Sequence, residues 1–276
     1  MNHIQIKARG FTFDALSAGP EDGPLVLLLH GLPRTSWEWH HQLPKLGESG
    51  FRAIAPDLRG YCLGARPEGV KAYVVDEFVQ DILAIADQLG WADRPFHLIG
   101  TSIGSVIAWW LAGNYPHRVA TLACINIPHP MAVLEVMSSN VTDTQRKRFS
   151  YFSTYGKEGM ELINFEASLK RIGLPAEETD PYRKALNSEE TLRVVFHWYR
   201  ALRYWANQPL KPVVMPTLYV WPRNGGNVSK EAAEANAHYV EGPYRFEILE
   251  IALNWAAQME PENIARLLLE HLAEHT

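Results

Sequence analysis

The chain is expected to be an α/β protein with a mostly parallel, doubly wound sheet of about eight strands and one helical insertion. Three observations predict this. Short apolar runs alternate with longer segments of helical period through most of the sequence. A glycine-bracketed strand–turn–helix stands near the middle, at residues 96–110. The alternation breaks once, between residues 131 and 210, where the sequence is aromatic-rich, charged and helical in pattern. With 276 residues, 47% hydrophobic and 21% charged, the chain can bury one large core.

Candidate strands are Ile4–Ala8, Phe11–Ser17, Leu25–His30, Arg52–Ala55, Phe96–Ile99, Ala120–Ile125, Thr217–Trp221 and Tyr244–Leu249. Between them, Phe78, Val79, Ile82, Leu83, Ile85, Ala86 and Leu89 recur at helical spacing, as do Ile264, Ala265, Leu267, Leu268 and Leu272 near the end. Both segments read as helices covering the sheet. Residues 1–130 and 211–276 then form the core, and residues 131–210 a helical cap over one sheet end.

Composition excludes several classes of function. A formal net charge of −5 and a pI near 6.1 give no field for neutralising phosphates, so nucleic acid is not an expected partner. The N-terminal residues alternate polar and apolar, unlike a signal peptide, and no apolar stretch approaches the roughly 18 residues of a membrane span. Only Cys62 and Cys124 are present, which is neither a disulfide framework nor a metal-ligand spacing. These features point to a cytoplasmic protein, monomer or homodimer, with a hydrophobic small-molecule substrate and neither metal nor organic cofactor.

The run Phe96-His97-Leu98-Ile99-Gly100-Thr101-Ser102-Ile103-Gly104 holds a G-x-S-x-G motif between a strand and a helix. So sharp a reversal needs glycine two residues before and two after the serine, because larger side chains would strike neighbouring backbone. Ser102 is thereby placed at a helix N-terminus above the C-terminal sheet edge, where open α/β sheets bind ligands. The Ile103 N–H can stabilise a developing oxyanion there, and His30-Gly31-Leu32-Pro33, after an earlier apolar strand, supplies a second donor at the Leu32 N–H. A serine that merely caps a helix is the plainer reading of the motif alone. The second glycine turn, in the required order, argues against it.

Taken with Asp57-Leu58-Arg59-Gly60-Tyr61, Ile127-Pro128-His129-Pro130, His197-Trp198-Tyr199-Arg200, Trp255 and Pro261-Glu262, these motifs resemble the α/β-hydrolase superfamily, specifically its epoxide-hydrolase and haloalkane-dehalogenase branch. The resemblance covers nearly the whole chain. It implies an enzyme with an elbow nucleophile, a general-base histidine after the last strand and a carboxylate partner.

The chain departs from that pattern at all three positions. The elbow of the branch usually reads Gly-His-Asp-Trp-Gly, and here Ser102 replaces the attacking aspartate. The histidine position falls on Asn254, just before Trp255, and an amide accepts no proton near neutral pH. The acid position falls on Asn227, with Asn224 as the second choice, and the other acid position used by relatives holds Asn126. The resemblance places Tyr199 and Tyr151 where phenols polarise a bound oxygen, with Tyr155 as an alternative to Tyr151 and lid packing as the plainer reading of each. Trp37, Thr101, Asn126, His129, Tyr155 and Trp255 are expected around the pocket, His129 with a structural role favoured. His40, His41 and His238 read as surface or packing residues, and Arg59 as a loop brace.

Intact oxyanion donors beside a missing base favour a non-hydrolytic catalyst: a cyclase, lyase, isomerase or C–C bond-forming enzyme on a hydrophobic, aromatic-type specialised metabolite. A hydrolase of an ester, lactone or epoxide is the alternative, and an inactive ligand-binding protein is the third.

Overall fold

The computed structural model describes residues 1–139, 144–204, 208–250 and 253–275. Parts of the 131–210 insertion (140–143 and 205–207), and residues 251–252 of the run leading to Asn254, lie outside the described residues.

Eight strands form one sheet: β1 (Asn2–Ala8), β2 (Phe11–Ala18), β3 (Leu25–Leu29), β4 (Arg52–Pro56), β5 (Phe96–Thr101), β6 (Val119–Ile125), β7 (Thr217–Pro222) and β8 (Tyr244–Leu249). Their order is β1-β2-β4-β3-β5-β6-β7-β8. The β1–β2 and β2–β4 pairs are antiparallel and every other pair is parallel. The eight expected strands are all present, with ends shifted by up to two residues. The two-residue shifts are at the start of β1, which begins at Asn2, and at the end of β5, which continues to Thr101 because Gly100 and Thr101 still pair with Cys124 and Ile125 of β6 before the chain reverses.

Strand parity divides the core into two layers. On β3, Leu25, Leu27 and Leu29 point into one hydrophobic cluster while Val26 and Leu28 point into the other, so a continuous apolar run serves both faces. Helices α1 (Gln42–Glu48), α2 (Val75–Gln88) and α3 (Ile103–Asn114) follow the first strands. The stripe Phe78, Val79, Ile82 of α2 joins the first cluster together with Ile103 and Ile107 of α3. Leu43 and Leu46 of α1 join the second, alongside Ile264, Leu267 and Leu268 of the C-terminal helix.

Between β6 and β7 run α4 (Pro130–Ser138), α5 (Thr144–Arg148), α6 (Tyr151–Tyr155), α7 (Glu161–Ile172), α8 (Ala176–Ala185), α9 (Glu189–Val195) and α10 (His197–Ala201). No strand occurs among the described residues of this stretch. Local signals set its boundaries: Gly173 closes α7 in the left-handed conformation, and the Ser188 hydroxyl accepts the Thr191 N–H to start α9. The chain ends through α11 (Lys230–Ala235), α12 (Ala256–Met259) and α13 (Pro261–Ala273). Among the described residues no helix is long and apolar enough to cross a membrane.

Candidate active site

Ser102 sits between β5 and α3 with φ 53 and ψ −119, a left-handed backbone rare for a residue with a side chain. The reversal is possible because two neighbours have no side chain. A methyl on Gly100 would lie 2.4 Å from the Gly104 carbonyl oxygen, and one on Gly104 would lie 2.2 Å from that of Leu29. The Ser105 hydroxyl, shared between the carbonyls of Gly100 (2.8 Å) and Ile125 (2.9 Å), pins the far side of the turn. The N–H groups of Ile103 and Leu32 take part in no hydrogen bond among the described residues, as oxyanion donors require.

His30 orders the second glycine turn. The Leu58 N–H donates to its Nε2 at 3.0 Å, so Nδ1 carries the hydrogen and donates to the Gly31 carbonyl at 2.8 Å. Burial lowers its pKa to about 3, which keeps the ring neutral, and its one lone pair is occupied. His30 therefore cannot accept the Ser102 proton.

The sequence reading missed a buried ion pair beneath Ser102. Arg34, 1% exposed, binds Glu38, 0% exposed, through Nη1 and Oε1. Glu38 Oε2 also accepts the Gly31 N–H at 2.8 Å, while Arg34 Nη1 reaches the Asn254 carbonyl at 3.3 Å and the guanidinium lies 5.0 Å from the Trp255 ring centre. A methyl on Gly31 would stand 1.9 Å from Arg34 Nη2 and 2.8 Å from Ser102 Cβ, so cation and serine meet over this glycine. Arg34 Nε is buried without a partner. Burial pushes the Glu38 carboxyl up to about 7, against the opposing pull of Arg34 and the Gly31 N–H. The available signal was an opposite-charge i,i+4 pair directly after His30-Gly31-Leu32-Pro33.

Above Ser102 lies a cavity of about 360 Å³, lined mainly by apolar side chains from α3, α4 and the helices beyond. Of the predicted residues, Ser102, Ile103, Tyr151 and Tyr199 line it. The two phenol rings lie 6.2 Å apart and nearly perpendicular. Burial raises both phenol pKa values, so they are neutral hydrogen-bond donors. Tyr155 stands behind them, its hydroxyl 2.6 Å from that of Ser168 and its ring edge-on to both. His197 turns away, as its helical angle to Tyr199 predicts, with Nδ1 accepting from Arg200 at 3.1 Å.

The remaining predicted residues lie off this cavity. Asn254 is 8% exposed, and its buried Oδ1 has no partner and points at Gly225, in the loop after β7. Half-buried Asn227 lies in the same loop, its carbonyl accepting from Gln145 at 2.9 Å, while Asn224 binds the Glu250 carbonyl. Asn126, at φ 78, donates its N–H to the Val220 carbonyl at 2.9 Å. Thr101 is buried in β5, Trp37 stacks on His40 at 3.9 Å, and Trp255 packs edge-on against Tyr182. His129 accepts the Met131 N–H, contacts the Lys211 carbonyl and stacks on Tyr239, a structural placement at the start of α4. Arg59 grips Asp81 through two 2.7 Å bonds.

Residues 24–249 match the alpha/beta hydrolase fold family, and the chain belongs to that family. It is epoxide-hydrolase-like within it. The chain is 32% identical over 282 residues to the AB hydrolase superfamily protein YfhM of Bacillus subtilis, covering 97% of this chain and 96% of that one. It is 31% identical to Epoxide hydrolase 4 of Mus musculus, covering 99% of this chain and 80% of the mouse protein. A Bacillus megaterium epoxide hydrolase solved with an inhibitor superposes with a TM-score of 0.85 over 98% of this chain and 100% of its own, at 23% identity, a likeness of fold.

Proposed function

We propose that this chain is an enzyme that hydrolyses a small hydrophobic ester or lactone at Ser102, with the helices between β6 and β7 as the lid of its cavity. The observation that carries the reading is a strained, cavity-facing serine beside two unengaged N–H groups, with a neutral phenol pair among the cavity walls. Membership in the family supports a hydrolase over the non-hydrolytic catalyst expected from the missing base. The names of the relatives record epoxides, but a serine that opened an epoxide would be left as an ether, which water does not cleave. A carbonyl substrate avoids that dead end.

In this scheme the Ser102 oxygen bonds to the acyl carbon and the bond to the leaving oxygen breaks. The hydroxyl proton passes to that leaving oxygen. Water then adds to the acyl group, the bond to Ser102 breaks, the acid departs, and a proton returns to the serine. Without an imidazole at position 254 the proton has no dedicated acceptor. Turnover therefore rests on oxyanion stabilisation and binding, which in a serine protease stripped of its triad give about 10³–10⁴ over water.

A second reading, non-hydrolytic catalysis, is favoured by one observation: an amide stands where the base is expected, and His30, buried in the oxyanion turn, has its lone pair occupied. Turnover of aryl esters and lactones by the unchanged chain and by Ser102→Ala separates the two. Hydrolysis at Ser102 predicts loss of turnover in the variant; retained turnover overturns it.

A further inference from the structure

On the far side of the oxyanion turn, two histidines and a carboxylate converge from distant parts of the chain. His41 Nε2 lies 2.9 Å and His40 Nε2 lies 3.4 Å from the same oxygen, Oε1 of Glu178. His40 and His41 stand just before and at the start of α1, and Glu178 on α8, 137 residues from His41. The three ligand atoms all lie within 4.8 Å of one another. The sequence reading found no clustered metal-ligand set, and the structure corrects it: the third member is remote in sequence and only packing of α8 brings it in.

The hydrogen bonding of His40 fixes which of its nitrogens faces the carboxylate. Its Nδ1 lies 2.7 Å from the Trp37 carbonyl, which can only accept, so Nδ1 carries a hydrogen. With Nδ1 as donor, Nε2 faces a carboxylate oxygen, so a positive centre must stand between the two, either a second ring proton or a metal ion. A metal-bound imidazole has this arrangement, with its other nitrogen donating to a carbonyl. The spacing also fits, because ligand atoms about 2.1 Å from a tetrahedral zinc are about 3.4 Å apart. Two neighbours hold the ligands in place: Trp37 stacks on His40 with rings 6° from parallel, and Gln258 donates to the second oxygen of Glu178.

We propose that His40, His41 and Glu178 form a binding site for a zinc-class divalent cation, which fastens α8 to the start of α1. The fourth position is open to water, since His41 is 33% exposed. Two nitrogen ligands select zinc over magnesium or calcium, which take oxygen.

The test is zinc binding by the full chain, stripped with a chelator and titrated against a chromophoric competitor, with the melting midpoint followed in parallel. One zinc per chain and a raised midpoint are expected. Glu178→Gln and His41→Ala should each weaken binding about tenfold or more, whereas His238→Ala, at an exposed histidine paired with Glu135, should leave it unchanged. His41→Ala removes a partly exposed ring and keeps the test decisive if Glu178→Gln fails to fold. Failure of the unchanged chain to compete for zinc, zinc binding by Glu178→Gln and His41→Ala as tight as that of the unchanged chain, or magnesium binding as tight as zinc would overturn the site.

Discussion

Replacing Arg34 with methionine is expected to destabilise the fold by an amount that grows with pH. Arg34 is 1% exposed and its partner Glu38 0%, so neither charge is relieved by solvent. With Arg34 present, burial still raises the Glu38 carboxyl to about 7. A carboxyl raised in the folded state contributes stability below its unfolded value, near 4.5, and loses it as pH climbs to 7. Above 7 the unchanged chain loses nothing more, because Glu38 is ionised in both states. Without the guanidinium the carboxyl must stay protonated, so each further pH unit costs about 1.4 kcal/mol. The electrostatic part of the penalty is thus under about 1 kcal/mol at pH 7 and about 3 kcal/mol at pH 9, above a constant packing loss. Urea unfolding of both proteins at pH 7 and pH 9 measures the difference. A penalty equal at the two values would refute the idea that Arg34 holds Glu38 ionised beside Ser102.

Acid should unfold the chain through its buried neutral histidines. His97, His129 and His271 are lowered to about 4 and His30 to about 3, all by burial, so their contribution is complete above 6.5 and is lost as pH falls toward 4. Each should cost about 2 kcal/mol between pH 7 and pH 5, and His97→Gln should lose that much less than the unchanged chain in urea titrations at the two values. If the cavity tyrosines donate to the substrate oxygen, Tyr199→Phe should lower kcat/KM by about 10²-fold without moving the melting midpoint by more than a few degrees. Tyr155→Phe, whose hydroxyl is engaged by Ser168, should leave kcat/KM nearly unchanged.

The sheet was legible because its signals are local. Alternating apolar runs mark all eight strands, and Gly100 and Gly104 mark the elbow by the backbone they must clear. The pocket was legible only in part. Ser102, Ile103, Tyr151 and Tyr199 line the cavity, whereas Trp37, Trp255, Asn126 and His129 were expected there and pack elsewhere. Which side of Ser102 opens depends on how α4 to α6 settle, and helix period alone fixes a face without fixing its neighbour. Arg34 and Glu38 were passed over because a charged i,i+4 pair usually marks a solvated face, and only the closed turn around Gly31 buries it. The histidine–glutamate cluster was invisible for a different reason: nothing in either segment refers to the other.

The most direct test of the account is the mass of the enzyme during turnover. Quenching the chain in acid during hydrolysis of an aryl ester, then digesting it, should yield the peptide containing Ser102 heavier by the acyl group. Ester hydrolysis with that peptide unmodified at every time sampled would contradict the assignment of Ser102 as nucleophile.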